Sequence, residues 1–324
     1  MVNVLVTGAN GLLATNTIKL LLEKGFIVKA LLRNKEKFIA PNHKNLTLIE
    51  GDITKIQSLK KHFVGCDIVI HAAANTSQNL LRLSDYYPVN VQGTKNVIEC
   101  CKINEIKKLI YIGTANSFGH GSLENLGNES LNQKSPFNKS YYAISKLKSQ
   151  VLINNTKGID IVSICPTFMI GAYDAKPSSG KIIFLANKKI VFYPPGGKNF
   201  IHVKDVATAI LNAINFGKPG ENYILGNENM SYKAFFDLTN KLTNRRPVMI
   251  RLPKSILKIM GQFGNIIRWF GFPVNLSSVN IDLLNVKSYY SNQKAKDELK
   301  MNFSSMDIAI SDAINWFKKE GLFK

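Results

Sequence analysis

A glycine turn set between a short apolar run and a helical stretch constrains this chain more than any other feature. Residues 2–6 are apolar and read as a buried strand. Gly8-Ala-Asn-Gly11-Leu-Leu-Ala14 follows, then helical patterning over 15–24 that stops at Gly25, then a second strand over 26–32. Two strands joined through a turn and a helix make a parallel crossover unit. Gly8 permits the tight turn, and Gly11 lets the main chain approach an anion at the helix N-terminus. Asn10, Leu12 and Leu13 complete that loop. The spacing G-x-x-G-x-x-A is not the usual G-x-G-x-x-G. Its place between a first strand and a first helix therefore carries the reading, which is a cradle for a dinucleotide pyrophosphate.

The alternation continues. Strands are expected at 46–50, 67–71, 109–112 and 159–164, and helices at 56–64, 91–104 and up to residue 154. This predicts an α/β fold of the Rossmann type, with a doubly wound parallel sheet whose carboxyl ends face the ligand. After Gly171 the regularity breaks. Residues 172–200 read as loop with one short helix at 182–186, and 203–215 as a helix returning to the main sheet. From Tyr223 onward the pattern is helical, ending in an amphipathic helix over 306–318. The expected division is a dinucleotide-binding domain over 1–171, to which 203–216 returns. Residues 172–202 and 217–324 form a smaller, mostly helical substrate lobe.

Composition narrows the partners. The net charge is +20, but the lysines are spread along all 324 residues with no basic stripe interleaved with aromatics, so no nucleic-acid partner is expected. No apolar run is long enough to span a bilayer, and the start reads as a strand rather than a leader, so a cytoplasmic protein is expected. Cys66, Cys100, Cys101 and Cys165 lack metal spacing and read as buried thiols; no metal site is expected.

Tyr142 and Lys146 carry the sharpest chemical signal. Four residues on a helix is one turn, so the phenol and the ammonium share a face. An ammonium there is expected to lower the tyrosine pKa, making Tyr142 a proton donor or acceptor. Thr114, at the end of the fifth strand, is expected to orient a substrate carbonyl, with Ser117 its nearby rival. Arg33 ends the second strand, where NAD enzymes place an acid for the ribose and NADP enzymes an arginine for the 2′-phosphate. Together with Lys35 and Lys37 it favours NADP(H) over NAD(H). Asp52, followed by Ile53, is expected to meet the adenine amino group, cap the next helix, or both. His71 reads as a packed residue, and Ala72, Ala73 and Ala74 as small residues that let a cofactor lie against the backbone. Asn90 reads either as an active-site support or as a helix cap.

The pieces Thr7-Gly8-Ala-Asn-Gly11-Leu-Leu-Ala14, Gly51-Asp52-Ile53, Val69-Ile-His71-Ala-Ala-Ala74, Asn90-Val-Gln-Gly-Thr94, Tyr142-x-x-x-Lys146 and Phe200-Ile-His-Val-Lys-Asp205-Val-Ala207 occur in this order. In that combination the chain resembles the extended short-chain dehydrogenase/reductase superfamily, also called NAD-dependent epimerase/dehydratases, over nearly its whole length. It is most similar to the dihydroflavonol-reductase-like branch, through Arg33, Cys165-Pro166-Thr167-Phe-Met169-Ile-Gly171 and Tyr223-Ile-Leu-Gly226. The resemblance implies Tyr142 as proton donor, Lys146 as ribose ligand and Thr114 as carbonyl-orienting hydroxyl, in place of the commoner serine. It also implies that Pro166, Thr167 and Met169 lie at the strand end facing the nicotinamide. Sugar-nucleotide 4,6-dehydratases of the superfamily carry Asp-Glu directly after the threonine, whereas Ala115-Asn116 stands here.

The leading expectation is an NADPH-dependent ketone or aldehyde reductase acting on a small-molecule carbonyl, with residues 254–272 as an apolar lid. Simple packing of the small lobe and an amphipathic membrane contact are the other readings of that segment. The alternative function is a nucleotide-sugar epimerase or 4-ketoreductase with the same triad, its Pro194-Pro-Gly-Gly197 loop holding a diphosphate. A cofactor-sensing regulator without chemistry is opposed by the presence of both Tyr142 and Lys146. The helices near 91–104 and 141–154 either form a homodimer bundle or pack into the core.

Overall fold

In a computed structural model, which describes residues 1–40 and 42–323, the strands and helices alternate as β1 (Asn3–Thr7), α1 (Leu12–Glu23), β2 (Ile27–Leu32), β3 (Leu46–Glu50), α2 (Ile56–Phe63), β4 (Ile68–His71), α3 (Gly93–Ile103), β5 (Lys108–Ile112), α4 (Tyr141–Asn154) and β6 (Asp160–Pro166). The chain goes on through β7 (Phe168–Ile170), α5 (Lys181–Ala186), β8 (Ile190–Tyr193), β9 (Gly197–His202), α6 (Val203–Phe216) and β10 (Asn222–Leu225). It ends with β11 (Glu228–Ser231), α7 (Tyr232–Leu242), β12 (Val248–Arg251), α8 (Lys254–Trp269), α9 (Ser278–Asn285), β13 (Lys287–Ser288), α10 (Gln293–Leu299) and α11 (Met306–Lys319).

Seven strands form one parallel sheet in the order β10-β6-β5-β4-β1-β2-β3. Both faces are covered, so its strands are apolar on both sides. Along β1, Val4 and Val6 enter the cluster packed on α1 and α6, and Leu5 enters the opposite cluster under α2, α3 and α4. The order reverses between β1 and β4, and ligands bind at the carboxyl ends beside such a switch point. The expected α/β Rossmann fold is what the chain adopts.

Three differences follow from contacts distant in sequence. Residues 222–225, expected in the small lobe, form the edge strand β10 and pair with 163–166 of β6. The α10 helix belongs with them, since Ala295 and Leu299 enter the core cluster of α1 and α6. Residues 172–200, expected as loop, also contain β8 and the start of β9, which bind β12 and β11. These strands are only 4 and 6 residues long and take their stability from partners far along the chain. The smaller lobe closes on its own core, where Phe200 stacks on Phe235 at 4.4 Å.

Candidate functional site

The glycine turn packs directly on the switch point. Gly8 has φ +70°, and a Cβ built there would lie 2.7 Å from Ala73 Cα and 2.8 Å from its nitrogen. Only glycine fits both the backbone angle and the space. Gly11 is the N-cap of α1 and offers no side chain to its first turn. The leading amide groups of α1, including those of Leu12 and Leu13, are thus left for an anion. The turn and helix end, with the small Ala72, Ala73 and Ala74 beside them, fit a dinucleotide phosphate.

His71 holds this corner rigid. It is buried, and burial with the neighbouring Lys146 charge pushes its pKa down to about 3. The neutral ring sits between Thr7 Oγ1, at 2.8 Å from Nδ1, and Thr94 Oγ1, at 3.2 Å from Nε2. The Thr94 hydroxyl donates to the Asn90 carbonyl, and Thr7 Oγ1 accepts from the Ala73 amide. One consistent set of donors results: Ala73 N–H to Thr7, Thr7 to Nδ1, Nε2–H to Thr94, Thr94 to Asn90. The histidine is a packed tie between β1, β4 and α3.

Asn90 lies inside a π-helical turn, Tyr87–Gln92, so it is not a cap of α3. Its Oδ1 accepts from the Asn75 amide at 2.7 Å, and its Nδ2 donates to Ser145 Oγ at 2.8 Å. Ser145 in turn donates to the Tyr142 carbonyl. Asn90 therefore ties the segment after β4 to the helix that carries Tyr142, through direct bonds.

Ser140 caps that helix by accepting from the Ala143 amide. Lys146 is 2% exposed; its Nζ donates to Ile112 O at 2.9 Å and lies 4.5 Å from the Tyr111 ring centre. Burial lowers its pKa to about 8. Burial also pushes the Tyr142 phenol up to about 12, while a hydrogen bond with Thr114 pulls the other way. The expected lowering of Tyr142 by Lys146 is absent from this geometry, because the ammonium is turned toward the end of β5. Thr114, the residue after Gly113 at that strand end, is brought to Tyr142; Ser117 is buried with its Oγ unpartnered among the described residues.

Arg33 is exposed beyond β2 and makes no hydrogen bond or ion pair among the described residues. Asp52 does not cap α2, whose N-cap is Lys55. Its Oδ1 instead closes a turn by accepting from the amide and hydroxyl of Thr54, both at 2.9 Å. Ile53 is buried, and its Cδ1 would lie 2.6 Å from a Cβ at Gly93. Pro166 ends β6. Thr167 donates to Asn199 Oδ1 at 2.8 Å, and Met169 on β7 packs against the core of the large sheet. The Pro194-Pro-Gly-Gly197 loop packs its glycines on the segment that ends α9. Gly197 N donates to Val286 O, and a Cβ at Gly196 would lie 2.3 Å from Leu284 O.

A cavity of about 170 Å³ lies beside Tyr142, bounded by Gln78, Leu80, Tyr86, Lys139, Asn265 and Arg268. The ring of Tyr86 is buried 6.4 Å from that of Tyr142, and its hydroxyl donates to Ser77 O. Arg268 holds the cavity wall by donating to the carbonyls of Asn79, Leu80 and Val274. Asn265 and Arg268 fall in the 254–272 segment expected to cover a substrate pocket, whereas Gln78, Leu80, Tyr86 and Lys139 lie in short connecting segments without a motif and were not legible beforehand. The α8 helix, expected as an apolar lid, thus turns polar side chains toward the cavity.

The four cysteines are buried and free, as expected. Among the described residues no group of three or more His, Cys, Asp or Glu side chains could hold a metal. No described helix is long and apolar enough to cross a membrane.

Comparison with known proteins agrees with this geometry. The chain is 29% identical to a Synechocystis protein provisionally named dihydroflavonol 4-reductase, over 98% of this chain and 95% of that one. It is 31% identical to human dTDP-D-glucose 4,6-dehydratase over 69% of this chain and 68% of that one. Its fold matches the crystal structure of gox2253 with a TM-score of 0.84 and 25% identity, over 99% of both chains. The family model for "NAD dependent epimerase/dehydratase family" matches residues 4–226, the span from β1 to the strand that closes the sheet. The chain belongs to the NAD dependent epimerase/dehydratase family, whose members are NAD(P)-dependent oxidoreductases, epimerases and dehydratases.

Proposed function

We propose that the protein is an NADPH-dependent reductase of ketones or aldehydes. The observation that carries this reading is geometric: the Tyr142 phenol lines the cavity and meets Thr114 at the end of β5, with Lys146 one helical turn on. A neutral phenol at physiological pH is a proton donor in its ready state. Gly8, Gly11, the α1 amides and Ala73 would hold the dinucleotide phosphates, and a bound reduced nicotinamide supplies the hydride. Thr114 donates to the substrate carbonyl oxygen and fixes it beside Tyr142. As negative charge grows on that oxygen, Tyr142 delivers its proton. Lys146, whose ammonium is turned to the end of β5, is assigned to the cofactor rather than to the phenol. With one N–H on Ile112 O, it keeps two further donors for ribose hydroxyls.

Ala115 and Asn116 follow Thr114, and neither can act as acid or base for eliminating water. That argues against dehydration in this chain, although a dehydratase is among its relatives. Arg33, exposed and unpartnered among the described residues, is the proposed 2′-phosphate ligand. Nicotinamide fluorescence should show NADPH bound more tightly than NADH. Arg33→Asp should weaken NADPH by about tenfold or more while leaving NADH unchanged or improved, since a charge-assisted bond is exchanged for a like-charge contact. Equal loss for both cofactors, or a wild-type preference for NADH, would remove the NADP assignment.

A further inference from the structure

We infer that α8 and the β8–β12 ribbon form a docking surface for an anionic lipid bilayer. The α8 helix has two faces. Leu257, Gly261 and Gly264 pack inward; a Cβ at Gly264 would lie 1.8 Å from Leu276 O, so the helix sits hard against the segment leading into α9. The opposite face presents Ile256, Ile259, Met260, Phe263 and Ile266 to solvent, with Phe263 62% exposed. At the helix end Trp269, Phe270 and Phe272 continue the surface at 81%, 65% and 63% exposure. The ribbon that leads into α8 repeats the pattern. Ile190 and Phe192 are exposed in register with Val248 and Ile250, while Val191 on the other face is buried. Each of these two neighbouring elements leaves a row of large apolar side chains exposed on one side, which soluble surfaces seldom do.

Charge selects the occupant. No acidic residue occurs between Asp174 and Asp205 or between Asp237 and Asp282, the two stretches that contain these elements. Lys188, Lys189, Arg245, Arg246, Arg251, Lys254 and Lys258 are exposed there, and none has an ion-pair partner among the described residues. An isologous contact with a second copy would bring like charges together. A bilayer carrying anionic headgroups meets both features at once, apolar side chains in the acyl boundary and cations at the phosphates. The helix that walls the cavity with Asn265 and Arg268 is then the one that rests on the membrane.

The test is co-sedimentation with vesicles of phosphatidylcholine containing phosphatidylglycerol, against phosphatidylcholine alone, with Trp269 emission followed in a Trp316→Phe background. The full chain should partition onto the anionic vesicles with a blue shift, and brominated lipid should quench Trp269. Phe263→Ser with Phe270→Ser, both exposed, should weaken partition by about tenfold or more. Lys254→Glu with Lys258→Glu should remove the preference for phosphatidylglycerol. Absence of binding at low salt, unchanged partition of the serine variant, or no quenching by brominated lipid would overturn the inference. So would a concentration-dependent dimer that the serine variant dissolves, since a second copy would then cover this face.

Discussion

Tyr142→Phe should lower kcat for carbonyl reduction by about 10²–10⁴-fold, the range for losing a positioned general acid. At about 1.4 kcal/mol per decade, that is about 3–5 kcal/mol of barrier. NADPH affinity and stability should stay near wild type. The ring of Tyr142 packs near Tyr86, and phenylalanine keeps that contact. Its side-chain hydroxyl bond with Thr114 is the interaction lost. The rate should also carry a pH signature. Burial lowers the Lys146 pKa to about 8, so the ammonium proposed to hold the ribose is present below that pH and lost above it. NADPH binding, and with it kcat/KM at subsaturating NADPH, should therefore weaken as pH rises through about 8. Stopped-flow rates across pH check both points; a Phe variant within a few-fold of wild type would exclude Tyr142 as the donor.

Gly8→Ala should cost both stability and cofactor. A left-handed backbone angle costs an L-residue about 1–2 kcal/mol, and the added methyl would meet the main chain of Ala73 at 2.7 Å. Backbone cannot swing aside as a flexible side chain can, so the end of β4 must shift away from β1. A loss of about 2–4 kcal/mol is expected, within the range of special-backbone mutations. NADPH binding should weaken beyond detection at micromolar protein, because the turn no longer places the α1 amides. Gly11→Ala is the control for the backbone argument: Gly11 has φ −83°, and its Cβ would meet only Gly8 O at 3.3 Å. It should unfold close to wild type. Denaturant titration of both variants with parallel fluorescence titration would separate the effects; a Gly8→Ala protein as stable as Gly11→Ala would contradict the packing described.

What could be read ahead of the structure was what local spacing encodes. Tyr142 and Lys146 are one helical turn apart, and Gly8 and Gly11 stand between a strand and a helix, so their neighbourhood follows from the chain itself. His71 could be read as packed, but its bridge from Thr7 to Thr94 joins residues 64 and 23 positions away. The β10 strand is four residues long and is defined by pairing with β6. The amphipathic pattern of α8 was legible, but not which face turns inward. Gly261 and Gly264 decide it, since their missing side chains let the backbone close on the 276–278 segment. Lys146 shared a face with Tyr142 as expected, yet the carbonyl of Ile112 claimed its ammonium, a partner no spacing rule reveals.

The most direct measurement is a stoichiometric turnover experiment. The wild-type protein is incubated with NADPH and a panel of ketones and aldehydes, with loss of reduced-nicotinamide absorbance followed beside product analysis, and Tyr142→Phe run in parallel. The expected result is one alcohol formed per NADPH oxidised for at least one carbonyl, with the variant silent. Retained cofactor that is not consumed, together with interconversion of a nucleotide sugar at constant absorbance, would contradict the reductase account and establish epimerisation instead.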